Sequence, residues 1–351
     1  MARRQLGDSN VSVSQLCFGT MLFGESTSEA AAHQLLSAAA EAGINFFDSA
    51  EMYPVPQRAE TQGRSEAMLG AWMKSKRRED FVVATKVSGP GNMPWIRNGP
   101  EALNARAIAE AVDGSLARLG CDHIDLYQLH WPDRYVPMFG QTAYRPEQAY
   151  AAAPMEEQLE ALGRAVEAGK VRQVGLSNET PWGLMDCCRL AKAREGLPKI
   201  ATLQNAHSLL CRTFESGLAE CCHLESVSLL AYSPLAMGLL TGKYLGGGSR
   251  EARLNKYRGR YAEAESRYGN KSNTVQAVQA YVDLAHEAGM SSATLAIRFV
   301  LSCPLLASAV IGATSVVQLE ELSIAAEQGA LPGDVLKQID EIHWLYPSPN
   351  P

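Results

Sequence analysis

The chain has 351 residues, of which 46% are hydrophobic and 20% are charged, and its formal net charge is −6 at pH 7. This composition is typical of a soluble globular protein, and the negative charge argues against nucleic acid or an anionic membrane surface as a partner. No apolar run approaches the ~20 residues of a membrane-spanning helix, and the first residues contain no apolar signal core, so we expect a cytoplasmic protein.

Segments with strand and helix patterns alternate along the whole chain, after a short hairpin predicted over about residues 3–13. The predicted strands are 16–19, 44–49, 81–86, 125–130, 171–177, 201–205, 227–232 and 307–312. The predicted helices are 28–42, 64–76, 104–119, 155–168, 181–195, 214–224, 273–289, 292–302, 315–327 and 332–345. Strict alternation over eight strands predicts an α/β fold, a closed (β/α)₈ TIM barrel forming one domain over residues 1–351, with the hairpin covering its closed end.

Three connections are too long to be simple turns, namely residues 54–63, 131–154 and 243–272. Each follows the carboxyl end of a predicted strand, so all three are expected over the same mouth of the barrel. Long loops gathered on one face commonly form a pocket or a lid.

The cysteines show no Cys-x-x-Cys spacing, and no His-Glu-x-x-His or zinc-finger spacing occurs, so the sequence predicts no metal site. We interpret the cysteines as reduced, mostly buried thiols of an intracellular protein, the alternative being a disulfide set or a metal site. They are Cys17, Cys121, Cys187, Cys188, Cys211, Cys221, Cys222 and Cys303.

Four polar residues, Asp48, Tyr53, Lys86 and His130, lie at or just after the ends of three successive apolar strands. A free tyrosine phenol has a pKa near ~10, but a neighbouring ammonium such as that of Lys86 stabilises the phenolate and makes the phenol a better acid. Asp48 could pair with Lys86, and His130 could orient a substrate oxygen toward Tyr53. The alternative is a structural ion pair with a tyrosine and a histidine that only form hydrogen bonds at the rim.

The later strands also end on polar residues, which are Ser177, Asn178, Gln204, Asn205, Tyr232, Ser233 and the Gly312–Thr314 stretch. Such groups suit a ligand with an amide-bearing ring and phosphates, since Tyr232 offers a flat face and Gly312 leads into a helix N-terminus. The alternative is that each residue caps the next helix. Because no Gly-x-Gly-x-x-Gly motif occurs, a Rossmann domain is not supported.

These segments together resemble the aldo-keto reductases over about residues 3–345. The segments that carry the resemblance are Phe-Asp-Ser-Ala-Glu-Met-Tyr at 47–53, Ala-Thr-Lys at 84–86, Asp-Leu-Tyr-Gln-Leu-His at 125–130, Gly-Leu-Ser-Asn at 175–178, Ala-Tyr-Ser-Pro-Leu at 231–235 and Ile-Gly-Ala-Thr at 311–314. Residues 51–56 and 60–63 further resemble the bacterial Tas-type branch and its plant and algal relatives.

The resemblance implies a (β/α)₈ barrel that reduces carbonyl compounds with NADPH, with Asp48, Tyr53, Lys86 and His130 as the catalytic tetrad and Tyr53 as general acid. It also implies that Tyr232 stacks on the nicotinamide and that Thr314 and Gln318 lie near the adenosine 2′-phosphate. The implied cofactor-binding residues are Gly19, Thr20, Ser177, Asn178, Gln204, Tyr232, Ser233, Leu235, Gly238, Lys243, Gly312, Thr314, Gln318 and Glu321. Leu322 departs from the asparagine that many relatives have at an adenine contact.

The long 243–272 loop carries a run of basic residues, which are Lys243, Arg250, Arg253, Lys256, Arg258 and Arg260, interleaved with Glu251, Glu263 and Glu265. This loop is either a strap over the pyrophosphate that favours NADPH over NADH or a solvated surface segment. Met21 and Trp131 are the candidate substrate-pocket residues; Tyr135, Phe139 and Tyr144 could line the pocket or only pack a loop onto the barrel.

The sequence therefore predicts an NADPH-dependent reductase of aldehydes and some ketones, with a small-molecule carbonyl substrate. One alternative is an NADPH-binding regulatory module similar to potassium-channel β-subunits, although the short stretch before the first strand argues against it. Another is a barrel that retains NADPH with negligible turnover.

Overall fold

A computed structural model of the chain describes residues 1–97, 99, 102–269 and 272–351, apart from the side chains of residues 263 and 272. Residues 270 and 271 of the predicted 243–272 loop, and the Glu263 side chain, therefore lie outside the described residues.

The strands are β1 Arg3–Gln5, β2 Ser12–Ser14, β3 Leu16–Gly19, β4 Phe46–Asp48, β5 Val82–Val87, β6 Ile124–Leu129, β7 Val171–Ser177, β8 Ile200–Ala206, β9 Ser228–Tyr232 and β10 Leu306–Ile311. The helices are α1 Glu29–Glu41, α2 Arg64–Met73, α3 Ala105–Leu119, α4 Met155–Glu167, α5 Pro181–Ala193, α6 Leu218–Glu225, α7 Arg253–Lys256, α8 Ala262–Tyr268, α9 Ser272–Glu287, α10 Ser292–Leu301, α11 Val316–Glu327 and α12 Gly333–Leu345. Short 3₁₀ turns occupy Arg78–Asp80, Pro146–Gln148, Thr213–Ser216, Ala236–Thr241 and Leu245–Gly247.

Strands β3 to β10 form a closed parallel barrel in which sequence neighbours are sheet neighbours and β10 returns to pair with β3. The predicted (β/α)₈ barrel is confirmed, including the two helices predicted between the seventh and eighth barrel strands, which are α9 and α10. The 243–272 loop differs from the prediction, because it contains α7 and α8. These helices are too short to show a periodic pattern, and they fold where Tyr257, Tyr261 and Tyr268 are buried against the rest of the barrel mouth.

The N-terminal hairpin closes the amino end of the barrel, as predicted. Strands β1 and β2 pair antiparallel, with Arg4 opposite Val13. Leu6 and Val13 are fully buried against inward-facing residues of the barrel strands, including Phe46 and Leu126. The Arg4 guanidinium also donates to the Leu306 carbonyl at 2.6 Å. Apolar contacts thus close this end of the barrel.

The eight cysteines are free thiols, and five of them are buried. Burial raises the pKa of Cys188 to about 11 and that of Cys222 to about 12, so these thiols remain protonated at neutral pH. Within the part of the chain that the structure describes, no helix combines the length and the apolar character needed to cross a membrane.

A close contact between α2 and α3 gives a test of this packing. A Cβ atom added at Gly70 would lie 2.4 Å from the Leu119 carbonyl oxygen, which is backbone and cannot rotate away. We therefore expect Gly70→Ala to lower the free energy of unfolding by about 1–3 kcal/mol, as overpacking does. Urea denaturation measures the change. Gly333→Ala is the matched control, because nothing lies within 4 Å of its added Cβ; equal midpoints for the two variants would contradict the packing.

Candidate active site

A buried ion pair joins the ends of β4 and β5. Asp48 is the last residue of β4, and Lys86 lies one residue before the end of β5. The Lys86 ammonium donates to Asp48 Oδ1 at 2.5 Å and to the Ser49 carbonyl at 2.7 Å. Lys86 has no exposed surface and Asp48 is 2% exposed. The structure thus brings Asp48 and Lys86 together in the barrel interior, as the ion pair that the sequence analysis proposed.

Two glutamines hold the other oxygen of this carboxylate. Gln204 Nε2 donates to Asp48 Oδ2 at 2.9 Å, and Gln128 Nε2 lies 3.3 Å from the same atom. Gln204 lies in β8, so the bond crosses the barrel interior. The predicted cofactor residue Gln204 therefore also fixes the Asp48 carboxylate, a contact that the spacing of the sequence did not indicate.

Tyr53 and His130 stand on the cavity side of the ion pair. The Lys86 Nζ atom lies 5.0 Å from the centroid of the Tyr53 ring, and the rings of Tyr53 and His130 meet edge to face with centroids 5.6 Å apart. Each of these two residues is 8% exposed. Burial, and then the charge of Lys86, lowers the pKa of His130 well below its usual 6.5. The imidazole is therefore neutral at pH 7 and carries a hydrogen on only one ring nitrogen.

A second cluster of polar residues lies at the ends of β7 and β9. The Ser177 hydroxyl donates to the Gln204 carbonyl at 2.9 Å, and Asn178 Nδ2 donates to the His130 carbonyl at 2.9 Å. The Tyr232 hydroxyl donates to Asn178 Oδ1 at 2.7 Å. Asn178 has φ = 53°, in the left-handed region that asparagine tolerates better than most residues. These bonds connect Asn178 and Tyr232, two of the predicted cofactor residues, to the backbone of His130.

Both clusters of residues border one cavity of about 1,090 Å³, which lies at the carboxyl ends of the strands. Asp48, Tyr53 and His130 line it, together with the predicted substrate residues Met21 and Trp131. The predicted cofactor residues that line it are Gly19, Ser177, Asn178, Gln204, Tyr232, Ser233, Leu235, Gly238, Lys243, Gly312, Thr314, Gln318 and Glu321. Leu322 also lies on this wall.

Thr20 is placed differently from the other predicted cofactor residues. It has no exposed surface, and its hydroxyl lies 3.0 Å from the Asp48 carbonyl and 2.6 Å from the Ser65 hydroxyl. Its side chain therefore supports the backbone of Asp48 from behind. Asn205 is likewise structural, since its side chain bonds both the N–H and the carbonyl of Glu179.

Lys243 and Arg253 carry positive charge on the cavity wall. Lys243 is half-buried, and burial followed by the charge of Arg253 lowers its pKa. The Nε of Arg253 is buried with no hydrogen-bond partner among the described residues. Lys256 also lines the wall, but Glu251 lies 3.6 Å from its ammonium. The structure thus singles out Lys243 and Arg253 from the basic run.

At the end of the cavity beyond β10, the predicted residues bond one another. The Gln318 side-chain oxygen accepts from the Thr314 N–H at 3.0 Å and lies 3.1 Å from the Thr314 hydroxyl. Glu321 accepts from the Ser291 hydroxyl at 2.7 Å. These contacts give the start of α11 and the residues before it a defined polar surface.

The other end of the cavity is aromatic and apolar. Trp131 Nε1 donates to the Pro90 carbonyl at 3.0 Å, which fixes its indole beside His130. Tyr257 and Tyr261 line the wall and pack with Tyr53, although the sequence did not single them out. Their spacing of four residues in the basic loop was the available signal. Phe139 lies on the wall, whereas Tyr135 and Tyr144 pair with each other at 5.4 Å and do not line it.

The fold and this cavity define a (β/α)₈-barrel protein with a polar site where such barrels carry their chemistry. The sequence model of the aldo/keto reductase family matches residues 15–343. The chain therefore belongs to the aldo/keto reductase family, which is a family of oxidoreductases.

Three relatives cover nearly the whole chain. Protein tas of Escherichia coli is 44% identical over all of both chains. An uncharacterized oxidoreductase of Bacillus subtilis, YrpG, is 33% identical over 98% of this chain and 96% of its own. A probable voltage-gated potassium channel subunit beta of rice is 31% identical over 92% of this chain and 90% of its own.

Proposed function

We propose that this protein is an NADPH-dependent reductase of aldehydes and of some ketones, with the whole chain acting as one domain. The observation that carries the proposal is the buried Lys86–Asp48 pair directly behind Tyr53, with a neutral His130 at the same wall. General acid catalysis needs a proton donor at the substrate and a fixed charge that stabilises the donor after it has lost its proton. Tyr53 and Lys86 have this relation.

The described residues fit NADPH. A cavity of about 1,090 Å³ is large enough for a dinucleotide and a small substrate. Its wall offers the amide of Asn178 and the ring of Tyr232, which are linked to the backbone of His130, together with the cations Lys243 and Arg253. The buried Arg253 Nε that has no described partner is a donor suited to a phosphate oxygen. When bound, NADPH supplies the hydride that reduces the carbonyl carbon.

The roles of the tetrad follow from the contacts. His130 is neutral, so it can donate a hydrogen bond to the carbonyl oxygen without bringing a second charge beside Lys86. Tyr53 gives its proton to that oxygen, and the Lys86 ammonium stabilises the phenolate that remains. Asp48, held by Gln204 and Gln128, keeps the ammonium in place. The aromatic side chains of Trp131 and Tyr261 on the cavity wall would lower the polarity around a bound substrate, which strengthens these interactions.

Arg253 gives a test of cofactor preference. NADPH differs from NADH by a 2′-phosphate, and we expect Arg253→Met to weaken NADPH binding roughly 10- to 100-fold, the loss of one hydrogen bond to a charged group, and NADH binding less. Fluorescence titration of both nucleotides measures this. The control is Arg258→Met, an exposed arginine of the same loop that does not line the cavity. Equal weakening of NADPH and NADH would count against a role in reading the 2′-phosphate.

The experiment that tests the proposed function is NADPH oxidation by the purified protein with an activated aromatic aldehyde, with NADH in parallel. Turnover with NADPH well above NADH is expected. A second candidate is an NADPH-binding regulatory module, supported by the similarity to the rice channel subunit. Tight NADPH binding with no turnover on a panel of aldehydes would favour this second function.

A further inference from the structure

One buried arginine that the sequence did not single out lines the cavity and contacts Tyr232 directly. Arg267 lies in α8, 35 residues from Tyr232, and is only 5% exposed. Its Nη1 donates to the Tyr232 hydroxyl at 2.8 Å, and its guanidinium carbon lies 5.3 Å from the centroid of the same ring. Its Nη2 reaches the Cys211 sulfur at 3.9 Å. The Tyr232 ring is therefore held both by its oxygen and by its face.

The bond from Arg267 sets the direction of the hydrogen bonds that follow. A guanidinium can only donate, so the Tyr232 oxygen accepts and its own hydrogen is directed to Asn178 Oδ1, 2.7 Å away. The Asn178 amide is then oriented with its NH₂ toward the His130 carbonyl, at 2.9 Å. One chain of hydrogen bonds thus runs from Arg267 to the backbone of His130, in which Arg267 sets the direction of the Tyr232 hydroxyl and the His130 carbonyl sets that of the Asn178 amide.

The C-terminal residues anchor Arg267 itself. Asn350 has no exposed surface, and its Nδ2 donates to the Arg267 carbonyl at 2.6 Å. The Asn350 N–H donates to the Leu210 carbonyl at 3.1 Å, and the Thr274 hydroxyl donates to Asn350 Oδ1 at 3.3 Å. The backbone of Arg267 is therefore tied to two other parts of the chain, and this limits its freedom to move with the loop that carries it.

We propose that Arg267 is a positioning residue for the cofactor, which acts through the Tyr232 hydroxyl and is held in place by Asn350. This inference rests on the proposed function, because its ligand is NADPH. Without Arg267 the Tyr232 oxygen loses its donor, so the hydroxyl hydrogen can turn away from Asn178 and the ring is held less firmly, and binding must then restore the arrangement. Removing such freedom in advance strengthens binding without adding a contact to the ligand.

The test is a double-mutant cycle on NADPH affinity, followed by the fluorescence of the nucleotide. Arg267→Met is expected to raise Kd by up to roughly tenfold, because binding must then order the freed Tyr232 side chain. Tyr232→Phe, which keeps the ring and removes the acceptor, should raise Kd by a similar factor. Because both changes remove the same interaction, the double variant should bind no more weakly than the weaker single variant. Arg267→Lys, which keeps a charged donor, should recover part of the affinity.

Arg258→Met is the control and should leave Kd unchanged. Independent, multiplying effects of Arg267→Met and Tyr232→Phe would overturn the proposal, since Arg267 would then not act through the hydroxyl. If Arg267→Met does not fold, Tyr232→Phe alone tests the proposal. A Tyr232→Phe variant with the Kd and the Tm of the wild type would contradict a role for this chain of hydrogen bonds in binding. A wild-type protein that binds neither NADPH nor NADP⁺ refutes the proposed function and this inference with it, whereas tight wild-type binding with normal Arg267→Met affinity refutes the inference only.

Discussion

Replacing Tyr53 with Phe is expected to lower kcat by ~10²–10⁴-fold, the range of general acid catalysis, while NADPH affinity stays close to that of the wild type. The change removes only the hydroxyl, and the ring remains packed against His130 and below the Lys86 ammonium. Steady-state NADPH oxidation at saturating aldehyde measures kcat, and fluorescence titration measures the affinity.

The matched control is Tyr257→Phe, because Tyr257 is a second buried tyrosine on the same cavity wall. It should change kcat little. Two results would contradict the assignment of Tyr53 as the proton donor. One is a rate that Tyr53→Phe leaves unaltered, and the other is a similar loss in both variants.

Replacing Lys86 with Met is expected to abolish most turnover and to destabilise the fold. The substitution leaves the Asp48 carboxylate buried beside two glutamines without its cation. Breaking a buried ion pair by removing one partner costs about 3–5 kcal/mol. Urea denaturation measures this cost, and NADPH oxidation measures the turnover.

A double variant separates stability from catalysis. Asp48→Asn added to Lys86→Met removes both charges, so most of the lost free energy of unfolding should return. Turnover should not return, because the ammonium that stabilises the Tyr53 phenolate is still absent. If the double variant regained both stability and rate, the pair would be structural and the proposed mechanism would be wrong.

Removing the charge of Lys86, alone or in the double variant, also tests the electrostatics of His130. The charge of Lys86 is the second cause, after burial, of the lowered pKa of His130. In Lys86→Met the pKa of His130 should therefore rise toward its usual 6.5 but remain below it, because burial persists. In the wild type, a lowered folded pKa means that the neutral histidine contributes to stability above pH 6.5, and that this contribution is lost as the pH falls through the folded pKa. NMR titration of the His130 ring in the double variant and in the wild type measures the change in its pKa. Equal pKa values in the two proteins would contradict a contribution from the charge of Lys86.

The residues at the strand ends were predictable because the signal is local. Each of β4, β5 and β6 is a short, largely apolar strand with an ionisable side chain within one residue of its end, and a parallel barrel gathers such ends at one mouth. That argument located Asp48, Lys86 and His130. It could not show that Gln204 reaches across the barrel to Asp48, because that contact depends on barrel closure.

Loop residues were harder to assign for a physical reason. The 243–272 loop offered several cations of equal appearance, and only packing of α7 and α8 over the mouth brings Arg253 to the cavity wall and leaves Arg258 exposed. Arg267 gave no signal at all, since a single arginine in a charged loop is ordinary.

By itself, the sequence determined the eight βα units, the amino-end hairpin and the rim positions, because strand and helix patterns and their polar ends are set by neighbouring residues. Only the tertiary structure decided that Thr20 supports Asp48 from behind and that Arg267 holds Tyr232. These outcomes depend on the register around a closed barrel and on how the long loops pack. Both bring together residues far apart in the chain, so no local pattern encodes them.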